Sequence, residues 1–380
     1  MDIQLSAQQQ AVVDCNEPRI VVKACPGSGK TFSVAARMAR LLRENNLSRH
    51  QGIAAISFTN TACDVIKKEL KETFGYPNVS YPSFIGTIDS FINTYIFLPY
   101  AHLVMGCDCR PEIVGTEFNK WFDYNSSQRG YGGKIIDPNY FVDKVSFNQD
   151  DEPIPLVSAP EFTFSWSNIK KKNGEYRKEV TDIIEAKHIH FVKGKANQAD
   201  ATYFAFRILK KYPSIAQDLV RRFPILIIDE AQDTTELQMA IIDKLSLCGA
   251  ESIMLIGDPD QAIFEWNTAN PHLFMEKYNS PNWHSLDLSE NRRSSEKICQ
   301  LANHFSGNEM CSIASDKDYT DEPCIKGYLD TPESVNQITN HFIEKCNEMG
   351  LDESEYAVVF RGQKFGETNF GLVNNDSSSR

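Results

Sequence analysis

Long apolar runs, a cysteine framework and a surplus of positive charge are all missing from this chain of 380 residues. No apolar run reaches the roughly 18 residues that a membrane-spanning helix needs, so no such helix is expected. The opening residues, MDIQLSAQQQ, hold neither a basic segment nor an apolar one and do not read as a signal peptide. Ten cysteines occur without framework spacing, and Cys25 lies inside a loop that a disulfide would distort. They read as reduced thiols of a cytoplasmic protein. His102, Cys107 and Cys109 lack the two-residue spacer and the second cysteine pair of a zinc site, so no metal is assigned there. The formal charge of −12 argues weakly against a nucleic-acid partner. It is unevenly spread, however: residues 165–222 carry +7, which leaves −19 on the remainder.

What is present begins with IVVKACPGSGKT, residues 20–31. A buried strand leads into a loop of small residues, and a helix with apolar positions at Val34, Met38, Leu41 and Leu42 follows. This context makes the loop a credible phosphate cradle. In the loop that Pro26 opens, backbone N–H groups around Gly27, Ser28 and Gly29 would face phosphate oxygens, with the helix N-terminus adding a favourable field. Lys30 would reach the β- and γ-phosphates of ATP, and Thr31 would ligate Mg²⁺. The plain alternative is a glycine-rich turn.

Two further strand ends supply matching chemistry. LIIDEAQD, residues 226–233, places Asp229 at a strand end as a second Mg²⁺ ligand and Glu230 as acceptor of a proton from the attacking water. Adjacent carboxylates repel unless a cation is near. The alternative is a solvated helix cap. IGDPDQAIFEW, residues 256–266, places Gln261 to sense a γ-phosphate or orient water, against an ordinary turn. Arg293, beside Arg292, is a candidate to stabilise charge on the transferring phosphoryl group across a cleft.

The alternation of strands and helices predicts an α/β fold with a parallel sheet covered on both faces. Residues 1–95 and 215–280 are expected to form a first nucleotide-binding core. Residues 96–214 are expected as an inserted, mostly helical unit with a basic hairpin turning at Asn173-Gly174, where Lys170, Lys171, Lys172, Arg177 and Lys178 are available to phosphates. A second α/β unit is expected from 281 to 380, with strands at IKGYLD and YAVVFR.

Taken in order, these segments resemble superfamily 1 helicases of the UvrD/Rep/PcrA type. LSAQQQ resembles the family's glutamine motif, which puts Gln9 at the adenine-reading position. ACPGSGKT, AISFTNTACDVIKKEL, GTIDSF, IIDEAQD, GDPDQAIFEW and LSENRRS resemble its successive motifs over residues 5–361. The resemblance implies a P-loop, RecA-like core, an accessory insertion and the start of a second RecA-like core. It implies ATP-driven translocation on single-stranded or partly duplex DNA, usually 3′ to 5′, with Arg293 closing on the γ-phosphate. Phe58 and Trp266 fall on base-stacking positions, Thr59 and Asn60 beside the backbone, and Thr87 and Ser90 on weaker phosphate-contact positions.

Departures from the family pattern are visible. Arg292 stands where a tyrosine packs on adenine, Asp89 replaces a common histidine and is not expected on DNA, and Asn267 replaces an arginine. The last two family motifs have no counterpart, so the chain is expected to be a fragment or to be completed by a partner. IFLPYAHLVMGCDCRPEIVG also resembles helicase subunits of Gabija-type anti-phage defence systems, which act beside an ATPase-nuclease of the overcoming-lysogenization family. That resemblance implies an alternative role as an ATP- and DNA-sensing subunit that controls a nuclease with little unwinding.

Overall fold

β-Branched runs form the strands. The computed structural model describes residues 4–359 apart from 45, 78, 80, 116–128, 132–133, 137, 157–168, 172, 263–269, 307–308, 315–322, 324–326, 328–331 and 353. Six strands form one sheet: β1 (Arg19–Ala24), β2 (Ile53–Ser57), β3 (Phe84–Thr87), β4 (Ile225–Ile228), β5 (Ser252–Gly257) and β6 (His284–Leu288). Their order is β6-β1-β5-β4-β2-β3, and every pairing is parallel. β1 and β4 therefore flank β5, and the loops leaving all three strands emerge together at the carboxyl edge.

Alternate residues of each strand serve two cores. Ile20, Val22, Ile225 and Ile227 face helices α2 (Lys30–Glu44) and α3 (Asn60–Glu72), where Val34, Met38, Ile66 and Leu70 are buried. Val21, Leu226 and Ile228 face the opposite side, with α4 (Ile88–Ile92), α6 (Gln198–Lys211), α7 (Pro213–Arg222) and α8 (Glu236–Leu247). This double coverage explains why β1 and β4 read as continuous apolar runs rather than alternating ones. The short α1 (Ala7–Asp14) is held by Arg37 of α2, whose buried guanidinium donates to the carbonyls of Val12, Val13 and Cys15. These are carbonyls that the end of a helix leaves unpaired.

Three expectations differ from what is observed. His284–Leu288, read as the opening of a second unit, is instead the edge strand β6, paired with β1. The segment expected as a separate insertion shares the core of the sheet: Phe147, Phe191 and Phe204 belong to one apolar cluster with Leu226 and Ile228. Within it α5 (Lys178–Val192) precedes α6, and Lys187 of α5 donates to Asp200 at 2.7 Å and to the Val142 carbonyl at 2.8 Å, both charged side chains being fully buried. The chain divides into compact units at 1–320 and 321–380. In the second, α9 (Pro332–Glu348) forms as expected, and Phe342 meets Tyr356 edge to face. Tyr356–Val359, expected in a strand, has no strand ladder among the described residues, and Val359 is 93% exposed. The IKGYLD strand lies outside the described residues except for Gly327.

Candidate nucleotide-binding site

The loop after β1 folds as a phosphate cradle requires. Gly27 and Gly29 adopt φ of +70° and +81°, the left-handed region that glycine enters without penalty. The positions are also tight. A Cβ on Gly27 would lie 2.7 Å from Arg293 Cβ, and one on Gly29 would lie 2.8 Å from Gln9 Nε2. Ser28 is buried and donates to the Cys25 carbonyl at 2.8 Å, closing the loop on itself. α2 starts at Lys30, so its first unpaired N–H groups face this loop.

Lys30 and Glu230 lie 200 residues apart in the chain and form a 2.8 Å ion pair at the sheet edge. Thr31 donates to Asp229 Oδ2 at 3.3 Å. Asp229 is 2% exposed, and its backbone N–H continues the sheet to the Ile56 carbonyl. Burial, and then the charge of Glu230, push its carboxyl up to about 7, against the pull of Lys30. Asp233 is pushed up to about 6 by the same two causes, and burial raises Asp258 as well. Four carboxylates thus share one ammonium. Glu230 itself sits at φ +53°, the left-handed region that costs a non-glycine residue about 1–2 kcal/mol and tends to mark functional positions.

Gln261 is part of a chain of contacts rather than a lone sensor. It donates to Asp258 at 2.6 Å, and the Asp258 N–H donates to Gln232 Oε1 at 3.0 Å. Gln232 in turn donates to Glu230 at 3.0 Å and to Asp233 at 3.2 Å. The absence of a side chain at Gly257 makes room for this amide, since a Cβ there would lie 2.5 Å from Gln232 Oε1. Gln9 caps α1 together with Ser6, and its amide also donates to the Ser28 carbonyl, so it contacts the loop directly. Arg292 turns towards Glu290, 3.8 Å away. Its backbone N–H donates to the Gly27 carbonyl. Arg292 and Arg293 therefore stand on the same compact unit as Lys30, not on the opposite lobe that was expected to bring them in.

The expected nucleic-acid contacts are partly distributed. Phe58 is half-buried and packs on the apolar cluster beneath β2. Thr59 and Asn60 are exposed at the start of α3, which Thr59 caps by accepting from Ala62 N–H. Thr87 caps α4 by accepting from Ser90 N–H. Asp89 is turned inward, accepting from Gln238 of α8 at 3.3 Å. The hairpin turn at Asn173-Gly174 is present, with Gly174 at φ +86° and Lys170 bridged to Tyr176. Two of its charges are already matched: Lys170 pairs with Glu152, and Lys171 pairs with Glu175 at 3.5 Å. Trp266, Asn267 and Lys172 lie outside the described residues. Sequence reading passed over Gln8, Gln232 and Asn291. Each sits inside a quoted motif, but a buried amide is indistinguishable from a loop polar residue until its partners are known.

Comparison with known proteins agrees with this geometry. The family model for the UvrD/REP helicase N-terminal domain matches residues 5–282. The chain is similar to the "Probable DNA helicase II homolog" of Mycoplasma capricolum, at 26% identity over 81% of this chain and 41% of that protein. It is similar to the ATP-dependent DNA helicase PcrA of Bacillus subtilis, at 23% over 80% of this chain and 39% of that one. The Gabija protein GajB of Bacillus cereus is 26% identical over 78% of this chain and 48% of its own length. The chain therefore spans about two-fifths to one-half of these relatives. With a P-loop on a RecA-like parallel sheet, and a family match over most of its length, the chain belongs to the UvrD/Rep helicase family and carries that family's N-terminal domain.

Proposed function

We propose that this chain is the ATP-hydrolysing core of a motor that moves along single-stranded DNA in the 3′-to-5′ direction, coupling hydrolysis to opening and closing of its nucleotide cleft. The chain beyond β6 would lead into the second core. The observation that carries the reading is the convergence of Lys30, Thr31, Asp229 and Glu230 beside a glycine loop with two left-handed residues. Pro26 to Thr31 would hold the phosphates of ATP, with Gln9 and Arg292 near the base. Thr31 and Asp229 offer hard oxygen donors in a pocket of surplus negative charge, which suits Mg²⁺. When bound, Mg²⁺ neutralises charge on the phosphate oxygens.

The chain's own residues supply the rest. Lys30 is free to exchange Glu230 for phosphate oxygen. Glu230, released from that ion pair, accepts a proton from the attacking water. Gln261 orients that water, and Arg293 stabilises the charge on the transferring group. Phe58, Thr59, Asn60, Thr87 and Trp266 would line a DNA path across the carboxyl edge of β2 and β3. Aromatic stacking there is sequence-tolerant, which suits a motor that crosses any sequence. The hairpin lysines Lys170, Lys171 and Lys172 would add phosphate contacts at the cost of exchanging their glutamate partners.

A second reading is an ATP- and DNA-sensing subunit that controls an ATPase-nuclease partner, favoured by the similarity to GajB. ATP turnover with and without single-stranded DNA, together with displacement of strands from 3′- and 5′-tailed duplexes, separates the two. A motor shows DNA-stimulated turnover, abolished by Glu230→Gln, and unwinds only 3′-tailed substrates. Turnover without unwinding selects the second reading. Turnover indifferent to DNA refutes both.

A further inference from the structure

The strip from Leu288 to Ser294 is stapled to the phosphate loop along its length. Cys25 N–H donates to the Leu288 carbonyl at 2.8 Å. Gln8 and Ser289 exchange two hydrogen bonds, at 2.8 and 2.9 Å. Arg292 N–H donates to the Gly27 carbonyl at 2.9 Å. At the centre is Asn291, 2% exposed. Its Nδ2 donates to the Pro26 carbonyl at 2.8 Å, while its Oδ1 accepts from the backbone N–H groups of both Arg293 and Ser294 at 2.8 Å. One amide therefore joins the rim of the loop to the backbone of Arg293, whose Cβ rests against Gly27.

We infer that Asn291 is a positioning residue: it fixes Arg293 in register with the loop, and so gives the site its preference for a nucleoside triphosphate over a diphosphate. The inference rests on the proposed role of Arg293 at the γ-phosphate and goes beyond it. The arginine is held in place by the unit that binds the phosphates, and nucleotide recognition does not wait for a second body to deliver it. Asn291 itself is not offered to phosphate, because its polar capacity is spent on backbone groups and on Met310 Sδ, 3.9 Å from its Nδ2. It acts only through the strip it holds.

The test uses the full chain and four variants: Asn291→Asp, Asn291→Ala, Arg293→Ala and the Asn291→Ala/Arg293→Ala double. Asn291→Asp keeps both acceptor bonds and loses only the Nδ2 contacts to the Pro26 carbonyl and the Met310 sulfur, so it guards against loss of fold in the alanine variant. Calorimetric affinities for ADP and for a non-hydrolysable ATP analogue, with Mg²⁺, give the preference directly and do not require turnover. Arg293→Ala is expected to cost about tenfold in triphosphate affinity, the loss of one charge-assisted contact. Both Asn291 variants are expected to lose most of the same preference while ADP affinity stays within about twofold, and the double variant to match Arg293→Ala, because residues acting as a unit are not additive. Three results overturn the inference: an unchanged preference in the Asn291 variants or in Arg293→Ala, an equal fall in ADP affinity, or a multiplied loss in the double variant. A wild-type chain that binds neither nucleotide overturns the underlying reading as well.

Discussion

Gln232→Met keeps nearly the volume of a side chain that is 1% exposed and removes all of its polarity. Three hydrogen bonds go with it, to Glu230, to Asp233 and from Asp258 N–H. The Asp258 N–H is left buried without its acceptor, at about 1–3 kcal/mol. Two carboxylates lose a donor worth about 1.5–3 kcal/mol each, part of which Lys30 and solvent restore at Glu230. The expected loss of stability is about 3–5 kcal/mol, with little cavity contribution because the volumes match. Glu230 also loses the contact that fixes its direction, and misplacement of a reacting group by about 1 Å costs on the order of 100-fold. Urea unfolding followed by circular dichroism reads the first quantity, and steady-state ATP turnover reads the second. An unfolding free energy within about 1 kcal/mol of wild type, with turnover within about twofold, would refute the claim that this amide organises the site.

Lys187→Met leaves Asp200 charged, buried and without its cation, so a loss of about 3–5 kcal/mol is expected. Adding Asp200→Asn should recover most of it, and a double variant as unstable as the single would contradict the assignment. Burial holds the Asp89 carboxyl above its usual range, opposed by hydrogen bonds from Gln238 and Gln198. The folded state therefore keeps that proton more tightly than the unfolded chain, and the stability so gained is full in acid and lost as pH rises through the folded value. Asp89→Asn is expected to raise the urea midpoint at about pH 7 and to leave it nearly unchanged near about pH 4; equal effects at both would exclude burial of a charge as the cause.

Much of the site was legible locally. The glycine loop, Lys30 and Thr31 follow a β-branched run, and Asp229 ends another, so their places at strand ends could be read from residue type alone. The contacts among Gln8, Gln232 and Asn291 could not, because each depends on a loop from elsewhere in the chain. Lys170 and Lys171 read as free charge because Glu152 comes from a separate segment and Glu175 from across the turn. His284–Leu288 has the composition of any half-buried strand, and its pairing with β1 depends on which sheet edge is open.

By itself the sequence determined most strands of the main sheet, the glycine loop that follows β1, and which motif family it carried. These are short-range properties of β-branching, glycine and motif order. Only tertiary structure decided that β5 lies between β1 and β4, that Lys30 meets Glu230, and that Arg293 rests on Gly27. Strand order follows from burying both faces of the sheet at once, a condition set by the whole chain and by no single segment of it.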